Sequence, residues 1–252
     1  MDFASPTDIT SALSRVASAH TLLVVSDFDG TLAGFATDAS KVPVNHAAIA
    51  ALRELDGLPN THSVILSGRH LAGLAEVAGD VGSVRLVGSH GAEGLTLTDA
   101  QQALLEHLTT ELEGLVADVE GAFIEHKPVH RVLHYRMVAP ELHEELITAA
   151  RALMREGIHL TQGKCIEEFS VLDVTKGTWI AQAREAYQAD SVVFLGDDVT
   201  DENGMRALGP NDLGIRVGDG ETCAHVRVAG LAEVEAVLSE LLQMRRTVAP
   251  GL

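Results

Sequence analysis

Positive charge is scarce in this sequence. Eighteen Lys and Arg stand against 36 Asp and Glu, a formal net charge of −18 over 252 residues. Such a chain is a poor partner for nucleic acid or an anionic membrane, whose phosphates call for concentrated cations. A small anionic substrate stays open, because a local group of Lys and Arg outweighs a screened, distant field. Cysteine is almost missing, and Cys165 and Cys223 have neither disulfide-framework nor metal-ligand spacing. No apolar run approaches the ~20 residues that span a bilayer, and the first residues lack a basic region followed by an apolar stretch and a cleavage site. The expectation is a cytoplasmic protein without nucleic-acid or membrane partners. Its oligomeric state is not written in the sequence, with a monomer as the default.

What is present is apolar sequence, 46% of residues, in short runs. TLLVVS (21–26), HSVILS (62–67), SVRLVGS (83–89) and SVVFLGD (191–197) are apolar nearly throughout, as strands are when both faces are covered. Segments of helical spacing lie between them, at 45–57, 69–80 and 176–187. The alternation predicts an α/β fold with a parallel sheet and helices on both sides. The middle differs. AFIEHK (122–127) and RVLHYRM (131–137) are close enough for a hairpin, a helix is expected over 140–157, and IHLTQ and CIEEFS flank Gly163-Lys164 as two further strands. The expected organisation is a core over 1–92 and 171–252, with an α+β cap inserted at 93–170.

Two of the core strands run into acidic clusters. After LLVVS comes DFDGT, with Asp27 and Asp29 two apart. Residues i and i+2 of an extended chain point the same way, so these carboxylates would share a site and repel unless a cation or proton intervenes. Mg2+, a hard ion taking oxygen ligands, resolves that conflict. After SVVFL comes GDDVTDE, where Asp197 is placed to reach the same ion, with Asp198 and Asp201 as partners behind it. ILSGR places Ser67 after a strand, followed by Gly68 and Arg69 as candidate substrate contacts; this suits either a helix N-cap or a phosphate site. Lys176 opens a helix, where the dipole is positive; it is either solvated or there to meet an anion.

In the order DxDGT, Ser, Lys, GDDxxD, the chain resembles the haloacid dehalogenase-type phosphohydrolases over nearly its whole length. The resemblance implies a Rossmann-like parallel sheet with an inserted α+β cap. It implies Asp27 as nucleophile, Asp29 as general acid and base, Ser67 and Lys176 as phosphate contacts, and Mg2+ on Asp27, Asp197 and the carbonyl of Asp29. The chemistry is consistent, since a carboxylate needs no base to become a nucleophile.

GSHGAE (88–93), EHKPVHRVLHYR (125–136) and GKCIEE (163–168) resemble the trehalose-6-phosphate phosphatase subfamily. That resemblance implies trehalose 6-phosphate as substrate, with sugar hydroxyls bound by Glu125, Lys127, Lys164 and Glu168. Glu167, one residue off on a strand, should face away and contribute little. The chain departs from the subfamily at Phe169-Ser170 and Asn203-Gly204, which keeps another sugar or pseudo-disaccharide phosphate open. A phosphosugar mutase is the alternative enzyme. A phospho-acceptor domain would give no purpose to Asp29 or the cap. His126, His130 and His134 read as ordinary strand or turn residues, and GDGET (218–222) as a surface turn.

Overall fold

The structure is a computed structural model that describes residues 6–163 and 165–248. The strands are β1 (Leu22–Ser26), β2 (Thr61–Leu66), β3 (Arg85–Val87), β4 (Phe123–His126), β5 (His130–His134), β6 (His159–Gly163), β7 (Ile166–Ser170), β8 (Ser191–Gly196), β9 (Leu213–Val217) and β10 (Val226–Val228). The α-helices are α1 (Pro6–Ala17), α2 (His46–Asp56), α3 (Leu71–Ala78), α4 (Asp99–Val116), α5 (His143–Arg151), α6 (Lys176–Tyr187), α7 (Asp201–Arg206) and α8 (Leu231–Val248). The chain divides into two compact units, Met1–Gly91 with Thr175–Leu252, and Ala92–Val174.

In the first unit six strands form a parallel sheet in the order β10-β9-β8-β1-β2-β3. β1 explains why these strands are apolar without alternation. Leu22 and Val24 pack on one side with residues of α1, α2 and α8, while Leu23 and Val25 pack on the other with Trp179, Ile180 and Met205. Both faces are core, so Leu22 to Val25 are apolar without a break. None of the described helices is long and apolar enough to cross a membrane.

The second unit is a four-stranded antiparallel sheet in the order β4-β5-β7-β6. Ile124, Leu133, Leu160 and Phe169 join Leu108 and Leu112 of α4 and Leu146 of α5 in one apolar cluster. The alternate residues, Phe123, Glu125, His134, Thr161 and Glu168, occupy the opposite face.

Some boundaries shift for local reasons. β3 stops at Val87 because Ser89 and His90 adopt left-handed angles, φ 50° and 56°. The helix expected over 140–157 is a 3-10 turn (Pro140–Leu142) and then α5, and the chain reverses toward β6 through Gly157 at φ +83°. Elements α1, α4, α8, β9 and β10 lie outside those expected from periodicity.

Candidate active site

β8, β1 and β2 are neighbours in the sheet, so Asp197, Asp27 and Ser67 emerge side by side from their carboxyl ends. Ligands of parallel α/β sheets bind at this edge. α6 adds Lys176 from its first position, after a Thr175 N-cap whose hydroxyl accepts from Thr178 N. The lysine is not solvated. Its Nζ lies 2.6 Å from Asp27 Oδ1 and 2.6 Å from Asp201 Oδ1, with all three residues buried. A buried ammonium is costly unless paired. Burial pushes its pKa down, but Asp201 and Asp27 outweigh this and leave it raised.

Asp201 organises the turn. Its second oxygen accepts from the backbone N–H of Asp197 (3.0 Å) and of Asp198 (2.9 Å). Asp198 takes part through its backbone, and the residue is exposed. Burial first, then the charges of Asp201 and Asp198, push the Asp197 carboxyl up to about 7. Burial and Asp201 likewise raise Asp27 well above the ordinary carboxylate range.

The site is therefore short of positive charge. Asp27, Asp197 and Asp201 each offer an oxygen, all within 4.8 Å of one another. Asp197 Oδ1 is buried with no hydrogen-bond partner. Gly30, at φ +84°, makes the approach possible, because a Cβ there would fall 2.0 Å from Asp197 Oδ2. An all-oxygen set with an unsatisfied buried acceptor fits a hard divalent cation.

The third clustered carboxylate is Asp201, not Asp29. The i, i+2 argument fails because β1 ends at Ser26, and the backbone N–H groups of Thr31, Leu32 and Ala33 then fold back onto the carbonyl of Phe28. Beyond that turn the Asp29 carboxylate takes a forked bond from Arg69, at 2.7 Å from Nε and 2.6 Å from Nη2. Arg69 also donates to Ala39 O at 2.8 Å and lies over the Phe28 ring. Only the main-chain carbonyl of Asp29 is left to meet the cation that the resemblance implies.

Ser67 is buried, and its hydroxyl accepts from Arg69 N at 3.1 Å. It does not cap a helix; α3 begins at Leu71 behind His70, whose ring accepts from Gly73 N. Gly68 is needed where it stands, since a Cβ would fall 2.7 Å from the His90 ring. His90 N in turn donates to Ser67 O at 2.9 Å.

In the second unit the register aligns Glu125, Val132 and Glu168 across one face. Lys127 Nζ lies 3.4 Å from Glu168 Oε2, and His130 Nε2 lies 3.6 Å from Glu168 Oε1. His134 bonds Glu125 at 2.9 Å, which holds that carboxyl below its ordinary range despite burial, and stacks on Phe123. These two histidines are partners of the acidic residues, a role that their spacing did not reveal. His126 sits apart, 3.0 Å from Glu113. Lys164 lies outside the described residues. Glu167 does face the other way, but it is no bystander: Arg151 of α5 grips it with bonds of 2.7 and 3.1 Å.

The family model of the trehalose-phosphatases matches residues 25–230. The chain is 32% identical over 236 residues to trehalose-6-phosphate phosphatase of Escherichia coli K12, covering 87% of both proteins. It is 31% identical over 246 residues to trehalose-phosphate phosphatase of Mycobacterium marinum; that match takes in 89% of this chain and only 62% of the relative's length. Among solved structures, Aspergillus fumigatus trehalose-6-phosphate phosphatase superposes with a TM-score of 0.69 at 25% identity, covering 94% of this chain and 97% of that one.

Proposed function

Because this chain belongs to the trehalose-phosphatase family, we propose that it is a phosphoric monoester hydrolase that splits trehalose 6-phosphate into trehalose and inorganic phosphate. The observation that carries this reading is the buried Lys176, bonded at once to Asp27 and Asp201 at the carboxyl edge of the sheet.

Asp27 attacks phosphorus, the bond from phosphorus to the sugar oxygen breaks, and the leaving oxygen takes a proton from Asp29. Water then attacks the aspartyl phosphate and gives its proton to Asp29, and phosphate departs with Asp27 restored. Lys176 and the Ser67 hydroxyl hold phosphoryl oxygens as charge moves onto them. Arg69 binds Asp29 in this structure. An arriving phosphate competes for the guanidinium, so Asp29 leaves the ion pair, takes up a proton from solvent and carries it to the sugar oxygen. Mg2+, held by Asp27, Asp197 and the Asp29 carbonyl, would supply the positive charge this cluster lacks, keeping Asp27 ionised and offsetting its repulsion of the phosphate.

The test is phosphate release from a panel of sugar phosphates. Trehalose 6-phosphate should be the best substrate; EDTA should abolish turnover, Mg2+ should restore it, and Ca2+ should do so poorly, because its larger and looser coordination shell misplaces the phosphate. Full activity in metal-free protein would refute the metal role. Transfer of the phosphoryl group to a second sugar without phosphate release would point to a mutase.

Sugar recognition belongs to the Glu125, Lys127 and Glu168 face, and the family pattern adds Lys164 as a further sugar contact. Glu168→Ala should lower kcat/KM for trehalose 6-phosphate by roughly ten- to a hundredfold, with much less effect on a small aryl phosphate. Glu167→Ala should lower stability, through the loss of the Arg151 bonds, and leave the ratio between the two substrates alone. Equal loss on both substrates in Glu168→Ala would reject this face as the sugar reader.

A further inference from the structure

The loop that reads in sequence as a surface turn, GDGET, is wrapped around a buried arginine. Arg216, the last residue but one of β9, pairs with Gly196, the residue before Asp197. Its Nη1 donates to Asp198 O at 3.0 Å and lies 3.3 Å from a Glu202 oxygen, and its Nη2 donates to Asp219 O at 2.9 Å. The other Glu202 oxygen accepts from Cys223 N at 3.0 Å and lies 3.1 Å from Cys223 Sγ. Gly220 has φ +109°, and a Cβ there would crowd Arg216 Nη2 at 3.0 Å. Arg227 of β10 donates to the carbonyls of Gly218 and Gly220, tying down the same loop.

The turn at Asp197 and Asp198 is thus gripped from two sides. Asp201 accepts both of its N–H groups, and Arg216 donates to the carbonyl that follows. Arg suits this place better than Lys, because one planar fork reaches three acceptors in different directions. We propose that Arg216, supported by Glu202 and the 218–223 loop, is a positioning residue that sets the divalent-cation affinity of Asp197 by fixing the turn that carries it. The inference rests on the metal-dependent reading above. A carboxylate already held in its binding orientation loses less freedom when the cation arrives, and residues behind metal ligands commonly act in this way.

The test measures binding with no substrate present. Mn2+ is titrated into Arg216→Gln, Arg216→Lys and Glu202→Gln by electron paramagnetic resonance, and the rise in Tm caused by Mg2+ is measured alongside. Arg216→Gln should weaken Mn2+ binding about 10- to 100-fold and shrink the Mg2+-induced rise in Tm. At saturating Mg2+, its KM for the sugar phosphate should stay close to that of the wild type, a split that general damage to the fold would not give. Arg216→Lys should recover part of the affinity, and Glu202→Gln should lose a smaller part. Wild-type affinity in folded Arg216→Gln overturns the proposal. If that variant does not fold, wild-type affinity in both Arg216→Lys and Glu202→Gln overturns it equally. Because turnover is not the readout, a wild type that binds Mn2+ but leaves trehalose 6-phosphate intact would refute the substrate reading alone.

Discussion

Asp27→Asn should cut phosphate release by roughly 10⁴-fold or more while leaving the protein folded. The amide has the shape of the carboxylate but is no nucleophile, and it is a poor ligand for a hard cation. Stability argues in the same direction. Burial and the charge of Asp201 raise the Asp27 pKa in the folded state. A carboxyl whose pKa is raised by folding binds its proton more tightly in the native state than in the unfolded chain. Above the unfolded value its ionisation therefore costs stability, and a neutral isostere avoids that cost. Lys176 retains its bond to Asp201. In metal-free buffer at neutral pH the Tm of Asp27→Asn should therefore match or exceed that of the wild type. Phosphate release and a melting curve on the same preparation check both halves. Retained turnover in pure variant protein would remove Asp27 from the mechanism.

Arg245→Met should cause a large loss of stability without touching the chemistry. Arg245 is wholly buried on α8. It donates to the Thr61 hydroxyl (2.9 Å) and to the carbonyls of Ala17 (2.9 Å), His20 (2.8 Å), Asn60 (3.0 Å) and Ala19. Ala17 ends α1, so the guanidinium satisfies a helix C-terminus and pins the chain entering β1 and β2. Methionine fills much of the volume but leaves four carbonyls without this donor. The cost should be about 3–5 kcal/mol, or a fall in Tm of roughly 6–20 °C for a chain of this length. Activity per folded molecule at low temperature should be unchanged. A melting temperature within about 2 °C of wild type would show that these carbonyls find other donors.

These two residues also mark what could and could not be read in advance. The strands around Asp27 are apolar on both faces, and DFDGT and GDDVTDE stand at their ends, so the parallel core and the place of its acidic cluster were legible. The membership of the carboxylate cluster was not. It depends on where extended geometry stops after Ser26, and the turn turned Asp29 toward Arg69 and left Asp201 in its place. The face of the cap sheet followed from alternation alone, and Glu167 and Glu168 do diverge. The burial of Glu167 against Arg151 did not follow, because a charged residue on a strand reads as solvated. Arg245 and Arg216 were invisible too. Most of their partners are backbone carbonyls, which have no letter in the sequence.

The order of strands has a consequence for synthesis. β1 is flanked by β2, which follows closely, and by β8, whose register pairs Leu22 with Ser191. One edge of an apolar strand therefore stays unpaired until residues 191–196 have been made. The residues from 92 to 174 form a sheet and an apolar cluster of their own from one continuous stretch of chain. At about 5–20 residues per second, the edge of β1 waits on the order of 10–30 s. Through that interval the compact insertion has all its strands before the core has its second half, and the open β1 edge is where the nascent chain is most exposed to wrong pairing.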